Sequence, residues 1–536
     1  MTNLFKSILT CGFIACMTAS CISTPNVPVE EGKYKPDWES LSQWECPEWF
    51  MDAKFGIWAH WGPQNQAEAG DWYARHLYYE DHWQGQHHRK TYGDPSEYGL
   101  KDLINDWKAE EWEPDSLMRL FKSVGARYFM SMGNNHDNFD NWNSPYQEWN
   151  STNMGPQKDI IKGWAEVCKK YGLPFGVSFH ASHAWSWLEI AQKYDGNLTK
   201  EDGKNQWWEG YDPQKLYVQR HPHSENWEKS GTIHSQWNWG NGVCPPSEEF
   251  KMNIQNRVLE CVNTFKPDML YFDDTVMPFY GCDDQVGLNI LSHFYNTNAK
   301  ANGGNLNGVV MGKVLEPIHK DAMLWDIERG APDKIQEKYW QTCTCIGGWH
   351  YNRYDYNSGN YKSAQQVICM LIDNISKNGN LLLSVPMRAS GSIDEKVMAV
   401  LMGIKEWMDV NGQAIYGTRS WKTFGEGPSV DVSNPINAQG FNENNNDYSA
   451  ADIRFVHKND TVFAFTMRYP ENQTCTIKSF GYDSKYNNGK IDKVTLLGYG
   501  PVEFTQNAEG VTIQLPKEKV NKLSAVFAFE FDKPQP

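Results

Sequence analysis

Two apolar stretches of the chain end in acidic residues that could act together in catalysis. The stretch "DMLYFDD" (268–274) ends in Asp273 and Asp274, and "AMLWDIE" (322–328) ends in Glu328. Two carboxyl groups that face one pocket can hydrolyse a glycosidic bond. One attacks the anomeric carbon or positions a water molecule, and the other protonates the leaving oxygen. We therefore take Asp273 and Glu328 as candidate catalytic residues.

Histidines close to other strand ends allow a second interpretation, a hydrolytic metal centre. The candidate ligands are His136, Asp137, His180, His183 and the 273–274 pair. Their residue types suit a metal ion, but no HxH or HExxH spacing appears. The histidines also lie among Asn and Trp, a mixture better suited to hydrogen bonding with sugar hydroxyls. We therefore predict no metal and no other cofactor.

These residues follow short apolar runs that alternate with helical patterns. The runs are 54–61, 126–133, 174–180, 268–274, 308–314, 322–328 and 380–386. Between them lie stretches with apolar residues at helical spacing, such as 159–172, which ends in the capping residue Gly172, and 367–379. Near-continuous apolar strands separated by helices indicate a parallel sheet buried on both faces. For a chain of this length the pattern predicts an α/β fold, a (β/α)8-like TIM barrel.

The barrel explains why so many runs end in polar residues. Those ends are His60, 134–137, His180, 273–274, Lys313 and Glu328. In a barrel the carboxyl ends of the strands converge on one face, where active sites are built. Because successive side chains of a strand point to opposite faces, we expect Asp273 to face the barrel mouth and Asp274 to begin the following loop.

The rest of the chain divides into recognisable parts. Residues 185–250 are Trp-rich and charged without clear periodicity, which is typical of a functional loop over a catalytic face. After 410–418, alternating runs at 452–469, 493–500, 511–516 and 524–531 predict a C-terminal antiparallel β-sandwich. We predict a leader at 1–21, a flexible tether at 22–44, the barrel at 45–410 and the sandwich at 411–536.

Composition restricts the classes of partner. The formal net charge of −16 argues against nucleic acid, whose binding depends on phosphate neutralisation by Lys and Arg. The 24 Trp suit either stacking on sugar rings or heavy core packing. Of the 12 Cys, only Cys343 and Cys345 form a close pair outside the leader, which is a weak metal signal. An oligo- or polysaccharide is the expected partner, and the oligomeric state is not indicated.

The N-terminal stretch "MTNLFKSILTCGFIACMTASC" predicts export. Lys6 and a short apolar segment are typical of a secretory leader, whereas a membrane span would need about 20 apolar residues. Small residues before Cys21 resemble a bacterial lipobox. We therefore expect a periplasmic, outer-membrane or cell-surface protein of a bacterium, lipid-anchored at Cys21. Plain periplasmic export is the alternative, because Thr18 stands where such motifs prefer Leu.

Four ordered stretches resemble glycoside hydrolase family 29, the retaining α-L-fucosidases, over roughly 45–536. They are "WFMDAKFGIWAHWGP" (49–63), "GPQKDIIKGWAEVCKKYGLPFGV" (155–177), "SKNGNLLLSVP" (376–386) and "WMDVNGQAIYGTRSW" (407–421). The resemblance implies a TIM barrel with a C-terminal β-domain and a double-displacement glycosidase. It places the nucleophile on Asp273 and the acid/base on Glu328 of "LWDIERG", with Glu316 and Asp326 as alternatives.

The same resemblance supplies a set of substrate-binding candidates. His60 would hydrogen-bond sugar hydroxyls, and Trp61 and Trp72 would form apolar walls. The full set is His60, Trp61, Asp71, Trp72, Asn135, His136, His180, His183, Asp274, Lys313 and Trp349.

Departures from the family pattern change which sugar the site is expected to bind. Asn135 stands where the family has a histidine, Asp71 where it has Glu, and Asp274 where it has Gly. Ser178 and Phe179 stand where the family has two tyrosines, and His180 adds an imidazole where it has Ser. L-Fucose is 6-deoxy-L-galactose, so more polar residues, among them Ser178, His180 and His183, would suit an additional hydroxyl. Our hypothesis is an exo-acting enzyme for an α-L-galactose-like sugar, with an algal galactan as one source. An ordinary α-L-fucosidase and a catalytically weak carbohydrate-binding homologue are the alternatives.

Overall fold

The computed structural model describes residues 24–232, 239–240, 242–430, 440–443, 447–486 and 489–535. The predicted leader, 1–21, and its anchor at Cys21 lie outside these ranges. Within them, none of the helices combines the length and the apolar character needed to cross a bilayer.

The first domain is a closed barrel of eight parallel strands, all within the described residues, which pair in chain order from β1 to β8, with β8 pairing back to β1. The strands are β1 Phe55–Ala59, β2 Tyr128–Met132, β3 Phe175–Phe179, β4 Met269–Phe272, β5 Val309–Gly312, β6 Leu324–Glu328, β7 Trp340–Cys345 and β8 Gly379–Ser384. Nearly all of their residues are buried, as expected for a sheet that is covered by helices outside and filled with side chains inside. The predicted TIM barrel is therefore confirmed.

One barrel strand, β7, was not among the seven predicted runs. Its sequence "WQTCTC" mixes Gln and Thr with Cys, so it lacks an apolar run. All six residues are nevertheless buried, because the barrel interior is polar here. Gln341 Nε2 and the Cys343 thiol donate to Asp326 at 2.7 and 2.9 Å. The two cysteines, considered above as a weak metal signal, belong to this strand.

Helices cover the barrel from outside. In the part of the chain that the structure describes, they are α1 Trp38–Leu41, α2 Glu48–Ala53, α3 Tyr73–His76, α4 Trp83–Thr91, α5 Leu100–Asp106, α6 Pro114–Val124, α7 Ile160–Tyr171, α8 Ala184–Trp187, α9 Pro213–Tyr217, α10 Glu248–Phe265, α11 Asp284–Ala301, α12 Pro317–Ala322, α13 Arg353–Ser358, α14 Ala364–Ser376 and α15 Glu395–Asn411. The predicted helix 159–172 is α7, capped by the Asp159 side chain and by Gly172 in the left-handed conformation. The segment 185–250 contains short helices, and its Trp187 packs against His136 with ring centroids 4.5 Å apart.

The second domain consists of two antiparallel sheets, which confirms the predicted β-sandwich class. Its strands are β9 Arg419–Glu426, β10 Ile453–Lys458, β11 Thr461–Thr466, β12 Thr474–Ile477, β13 Ile491–Leu496, β14 Gly500–Pro501, β15 Phe504–Gln506, β16 Val511–Gln514 and β17 Val526–Phe531. The larger sheet has the order β14-β13-β17-β11-β10-β9, and the smaller one has the order β12-β16-β15. A hydrophobic core that includes Trp421, Phe480 and Phe529 joins them.

The predicted tether at 22–44 is wrong for its described part, because this segment packs against the barrel. Tyr34 is 5% exposed, and its amide donates to Asn296 Oδ1 at 3.0 Å. The Trp44 indole donates to the Gly308 carbonyl oxygen at 3.0 Å. Apolar side chains within the Pro-rich segment gain burial from this contact, which outweighs the entropy cost of ordering the segment.

A buried ion cluster fastens the second domain to the barrel. The Arg454 guanidinium on β10 donates through Nε to Asp373 on α14 at 2.6 Å, and Lys377 Nζ lies 2.7 Å from the same carboxylate. Arg454 and Asp373 are each 2% exposed. Burial opposes ionisation of Asp373, but the two cations outweigh it and hold the pKa of the carboxyl below its usual value.

We expect Arg454→Met to lower the free energy of unfolding by about 2–4 kcal/mol, because it removes one of the two cations that compensate a buried carboxylate. Urea unfolding followed by tryptophan fluorescence measures the change. Lys493→Met, which removes a surface ion pair with Glu530, is the matched control and should cost less than about 1 kcal/mol. Equal effects of the two substitutions would contradict this interpretation.

Candidate active site

The carboxyl ends of the barrel strands form one pocket with about 890 Å³ of free space. Eleven of the thirteen residues selected from the sequence line it. They are His60, Asp71, Trp72, Asn135, His136, His180, Asp273, Asp274, Lys313, Glu328 and Trp349. The structure therefore brings together residues that are up to 289 positions apart in the sequence, as the convergence of strand ends predicts.

The centre of the pocket is an ammonium group shared by two carboxylates. Lys313 Nζ donates to Asp273 Oδ1 and, at 2.6 Å, to Glu328 Oε2. The Lys313 side chain is 12% exposed, and those of Asp273 and Glu328 are each 16% exposed. Because both carboxylates lie within one hydrogen bond of the same nitrogen, their oxygens are at most about 6 Å apart. This range includes the separation of about 5–5.5 Å that a double displacement requires.

The electrostatics of the pocket keep Asp273 ionised. Burial opposes its ionisation, but Lys313 and the adjacent imidazoles outweigh burial and hold the pKa of the Asp273 carboxyl well below its usual value. Burial also disfavours the Lys313 ammonium, yet Asp273 and Glu328 hold its pKa well above the usual value. The site therefore carries an ionised carboxylate at neutral pH, which is the form that can act as a nucleophile.

Two histidines contact the second oxygen of Asp273, and His180 can donate a hydrogen bond to it. His180 Nδ1 and His136 Nε2 lie 3.1 and 3.2 Å from Asp273 Oδ2. Ser178 Oγ lies 3.2 Å from His180 Nε2, so the serine hydroxyl can donate there while His180 Nδ1 donates to the carboxylate. His136 Nδ1 donates to the His180 carbonyl oxygen at 2.9 Å. Burial lowers the pKa of His136 to about 4, although the Asp273 carboxylate opposes this shift.

A second group of polar residues also lines the pocket. Asn135 Nδ2 lies 3.2 Å from His60 Nε2 and 3.5 Å from His350 Nε2. Asp71 accepts the backbone amide of His350 at 2.6 Å and thereby holds the turn that carries Trp349. Burial, with help from neighbouring His350 and His180, keeps the pKa of His60 well below its usual value. His60 is therefore a neutral imidazole that can hydrogen-bond to a hydroxyl.

Two of the predicted substrate-binding residues do not line the pocket. Trp61 is 1% exposed, packs against Trp107 with ring centroids 4.9 Å apart, and donates to the Arg388 carbonyl oxygen. It points away from the pocket because it follows His60 by one position, and successive strand residues face opposite sides. His183 lies behind the wall, where its Nε2 is 3.0 Å from Asp274 Oδ1. Ser178, one of the residues expected to suit an additional hydroxyl, is also absent from the lining. It contacts His180, which does line the pocket.

Asp274 has a role of its own, separate from that of Asp273. Its Oδ1 accepts the Ser182 hydroxyl at 2.9 Å and lies 3.0 Å from His183. Both partners belong to the short helical turn that follows β3. Asp274 therefore positions this turn, whereas Asp273 contacts Lys313. The two adjacent acids have different partners, as the alternation of strand residues predicts.

The alternatives to Glu328 lie elsewhere. Glu316 begins α12, where its backbone amide lies 3.3 Å from His319 Nδ1, and it does not line the pocket. Asp326 shares the inward face of β6 with Glu328, two residues earlier and therefore deeper in the barrel. It is 1% exposed, and burial raises the pKa of its carboxyl to about 6. Among these three acids, the structure places Glu328 beside Asp273.

Other residues of the lining were not selected from the sequence. They are Trp58, Tyr271, Thr275, His350 and Phe441. Trp58 and Tyr271 could have been found, because each precedes a selected residue, His60 or Asp273, by two positions on the same strand face. His350 follows the missed strand β7. Phe441 belongs to the second domain, and no local pattern in the sequence associates it with the barrel.

Three of the candidate metal ligands lie close together. His136, His180 and Asp273 each offer one ligand atom within 4.8 Å of the others. The other three members of that set are directed elsewhere: Asp137 accepts the Phe139 amide at 3.1 Å, and His183 and Asp274 contact each other. The Lys313 ammonium already supplies positive charge to Asp273, which disfavours a second cation at the same carboxylate.

Comparison with known proteins gives consistent results for both domains. The family model described as Alpha-L-fucosidase matches residues 21–413, and the Alpha-L-fucosidase C-terminal domain matches residues 445–532. The chain is 24% identical to the tissue alpha-L-fucosidase of Mus musculus over 511 residues, which cover 93% of this chain and 94% of that one. It is 23% identical to the Homo sapiens protein of the same name, with 93% and 91% covered.

Solved structures share the fold. The Thermotoga maritima alpha-fucosidase superposes with a TM-score of 0.67 at 24% identity, and the match covers 92% of this chain and all of that one. Alpha-L-fucosidase isoenzyme 1 from Paenibacillus thiaminolyticus gives a TM-score of 0.61 at 17% identity, with 91% and 98% covered.

We expect Lys313→Met to destabilise the protein in a pH-dependent manner. In the wild type the depressed pKa of Asp273 contributes stability above the pKa of an unfolded Asp, about 3.9, and that contribution is lost as the pH falls further. Without the ammonium, the neighbouring Glu328 carboxylate repels that of Asp273, and the folded-state pKa of Asp273 rises. The variant should lose about 2–4 kcal/mol of unfolding free energy at pH 7 and at least about 1 kcal/mol less than that at pH 5.

Urea unfolding at the two pH values measures this difference. Lys338→Met, which removes a surface ion pair with Asp321, is the control. A loss for Lys313→Met that is the same at pH 5 and pH 7 would show that the two carboxylates are not coupled through Lys313.

Proposed function

Because the chain belongs to the α-L-fucosidase family of glycoside hydrolases, we propose that it is a retaining, exo-acting α-L-glycosidase. It would release a terminal sugar of the L-galactose configuration, which includes L-fucose, from oligo- or polysaccharides. The observation that carries this proposal is the pair Asp273 and Glu328, held together in one pocket by Lys313. Two carboxyl groups at this separation suit a double displacement.

In the first step Asp273 acts as the nucleophile. Its carboxylate oxygen bonds to the anomeric carbon while the bond from that carbon to the leaving oxygen breaks. Glu328, protonated, gives its proton to the leaving oxygen, so the departing sugar leaves as a neutral alcohol. Lys313 favours the ionised form of Asp273 before the attack.

In the second step a water molecule replaces the leaving group. Glu328, now ionised, takes a proton from the water while the oxygen bonds to the anomeric carbon and the bond to Asp273 breaks. The enzyme returns to its starting protonation state, and the sugar keeps its α configuration because two inversions occur in sequence. No cofactor is needed for either step.

The shape of the pocket supports exo action. Buried aromatic rings line it: Trp58 and Tyr271 are each 1% exposed, and their ring centroids are 4.7 Å apart. A pocket with a buried aromatic wall accommodates the end of a glycan better than its middle. Its aromatic and imidazole lining offers apolar faces for ring carbons and nitrogen atoms for hydroxyls.

Two buried donors beside the pocket support a hydroxyl-rich ligand. Trp58 Nε1 and His60 Nδ1 have no hydrogen-bond partner among the described residues. Buried polar groups in proteins are usually hydrogen-bonded, so two donors without partners in a pocket indicate an external acceptor. Sugar hydroxyl oxygens are suitable acceptors.

The identity of the sugar is the finer part of the proposal. We propose that the enzyme prefers α-L-galactosides to α-L-fucosides. With Ser178 and His183 outside the lining, the support for this preference is His180, which adds an imidazole where the family has Ser, and the unpaired Trp58 N–H. A site built to hydrogen-bond a hydroxyl rejects the analogue that lacks it.

We expect Asp273→Asn to lower kcat/KM by at least about 1,000-fold, because an amide cannot replace the nucleophile. The fold should persist, as judged by circular dichroism. Proton NMR of the first product released by the wild type should show the α anomer. A β anomer as first product, or near-normal turnover by the variant, would refute the double displacement.

We expect kcat/KM for p-nitrophenyl α-L-galactoside to exceed that for the α-L-fucoside by about tenfold or more. His180→Ser, which restores the residue of the family pattern, should shift this ratio towards the fucoside. The ratio is the appropriate measure because His180 also contacts Asp273, which affects both substrates. A clear wild-type preference for the fucoside would refute the L-galactose assignment and leave the glycosidase assignment intact.

A further inference from the structure

We infer that Phe441, a residue of the second domain, is a platform for the leaving group, the sugar unit that departs with the glycosidic oxygen. This inference deepens the proposed function and rests on it. It gives the second domain a direct part in substrate recognition.

Phe441 is placed unlike an ordinary aromatic residue. Its side chain lines the catalytic pocket, yet the residue is 59% exposed. Other aromatic rings of the same pocket, such as Trp58 and Tyr271, are 1% exposed. A ring that leaves this much apolar surface in solvent contributes little to folding. An exposed aromatic face at the rim of a pocket is therefore better explained by contact with a ligand.

The backbone around Phe441 is also unfavourable for its residue type. Phe441 has a φ of +57°, in the left-handed region that residues with a β-carbon rarely adopt. The preceding Gly440 has a φ of +94°, and a β-carbon there would lie 2.4 Å from the Glu328 carbonyl oxygen. The chain therefore passes closer to Glu328 than any residue other than glycine permits. Backbone strain of this kind concentrates at functional sites.

Extensive hydrogen bonding holds this segment, residues 440–443, in place. The Phe441 amide donates to the Glu328 carbonyl oxygen at 2.9 Å, and the Glu443 amide donates to the Arg329 carbonyl oxygen at 3.1 Å. Asn442 pairs with the backbone of Ala331 through both atoms of its amide group, at 3.0 and 3.1 Å.

The Glu443 carboxylate adds a set of charged contacts. It accepts from Arg329 at 2.7 Å, from Thr344 at 2.5 Å and from Lys362 at 3.0 Å, and its side chain is 3% exposed. Burial disfavours the ionised carboxylate, but Lys362 and Arg329 outweigh burial and hold the pKa of Glu443 below its usual value. The segment is therefore a fixed part of the barrel mouth.

The hydrogen bond between Phe441 and the Glu328 backbone identifies the side of the pocket on which Phe441 lies. In the proposed mechanism Glu328 gives its proton to the leaving oxygen, so the leaving sugar must lie on the Glu328 side of the bond. Phe441 is hydrogen-bonded to the backbone of that same residue. The flat face of a pyranose ring, with its C–H groups, can stack on the exposed phenyl ring while the terminal sugar occupies the buried part of the pocket.

A pair of substrates that differ only in the leaving group tests this inference. One is a methyl glycoside, whose leaving methanol needs the proton of Glu328 but is too small to reach Phe441. The other is a disaccharide with the same α-L-sugar, L-galactosyl or L-fucosyl, whichever the wild type releases faster. For Phe441→Ala, we expect the loss of kcat/KM on the disaccharide to be at least about ten times the loss on the methyl glycoside. Phe441→Trp should restore the disaccharide rate.

The control is Tyr499→Ala, which removes an aromatic side chain of the same domain that is 58% exposed and does not line the pocket. It should leave both rates unchanged. Phe441→Gly, which relieves the left-handed backbone, should match Phe441→Ala in selectivity while its melting temperature equals or exceeds that of the wild type.

Each remaining outcome contradicts the inference. Equal losses on both substrates would mean that Phe441 only positions Glu328, and no loss on either would mean that the ring contacts no leaving group. If the wild type hydrolyses both substrates, these results refute the platform alone. If it hydrolyses neither, the proposed function fails and the platform with it.

Discussion

The shared ammonium of Lys313 is the interaction on which the site depends. Two carboxylates within about 6 Å of each other at the mouth of a barrel repel each other, and burial strengthens that repulsion. A single cation donated to both of them removes the repulsion and lets them remain close. The rest of the site then follows from geometry. Asp273, Lys313 and Glu328 come from β4, β5 and β6 or directly follow them. His136 and His180, which follow β2 and β3, contact the other oxygen of Asp273.

The barrel achieves this geometry by repeating one device, a pair of inward-facing residues two positions apart on a strand. Trp58 and His60 form such a pair, and so do Tyr271 and Asp273. In each, the first residue contributes an aromatic ring deeper in the pocket and the second presents a polar group at the mouth. The pocket thus combines aromatic rings deeper in the barrel with polar groups at the strand ends. Residues on the outward face, such as Trp61, pack the barrel against its helices instead.

Two of the contacts between the second domain and the barrel have different consequences. The Asp373–Arg454 contact is a buried ion pair outside the catalytic pocket, and it helps to fix the relative position of the domains. The segment 440–443 reaches the strand that carries Glu328 and places Phe441 at the pocket. On our inference, the Asp373–Arg454 ion pair helps to hold Phe441 at a fixed distance from Glu328. A platform for the leaving sugar requires such a fixed distance from the acid. This arrangement gives a companion domain a function beyond stabilisation.

The sequence alone determined the barrel, the second domain's class and most of the pocket lining, because parallel strands must end at a common face and apolar runs mark them. It also separated Asp273 from Asp274, since alternation along a strand is a local property. It missed β7, whose buried polar residues are hydrogen-bonded to residues of other segments, such as Asp326 and Glu443. It misplaced Trp61 and His183, and it did not connect Phe441 with the barrel. Which side chains share an ammonium, and which exposed ring stands at the pocket, depends on contacts between residues far apart in the chain, and only the tertiary structure decides those.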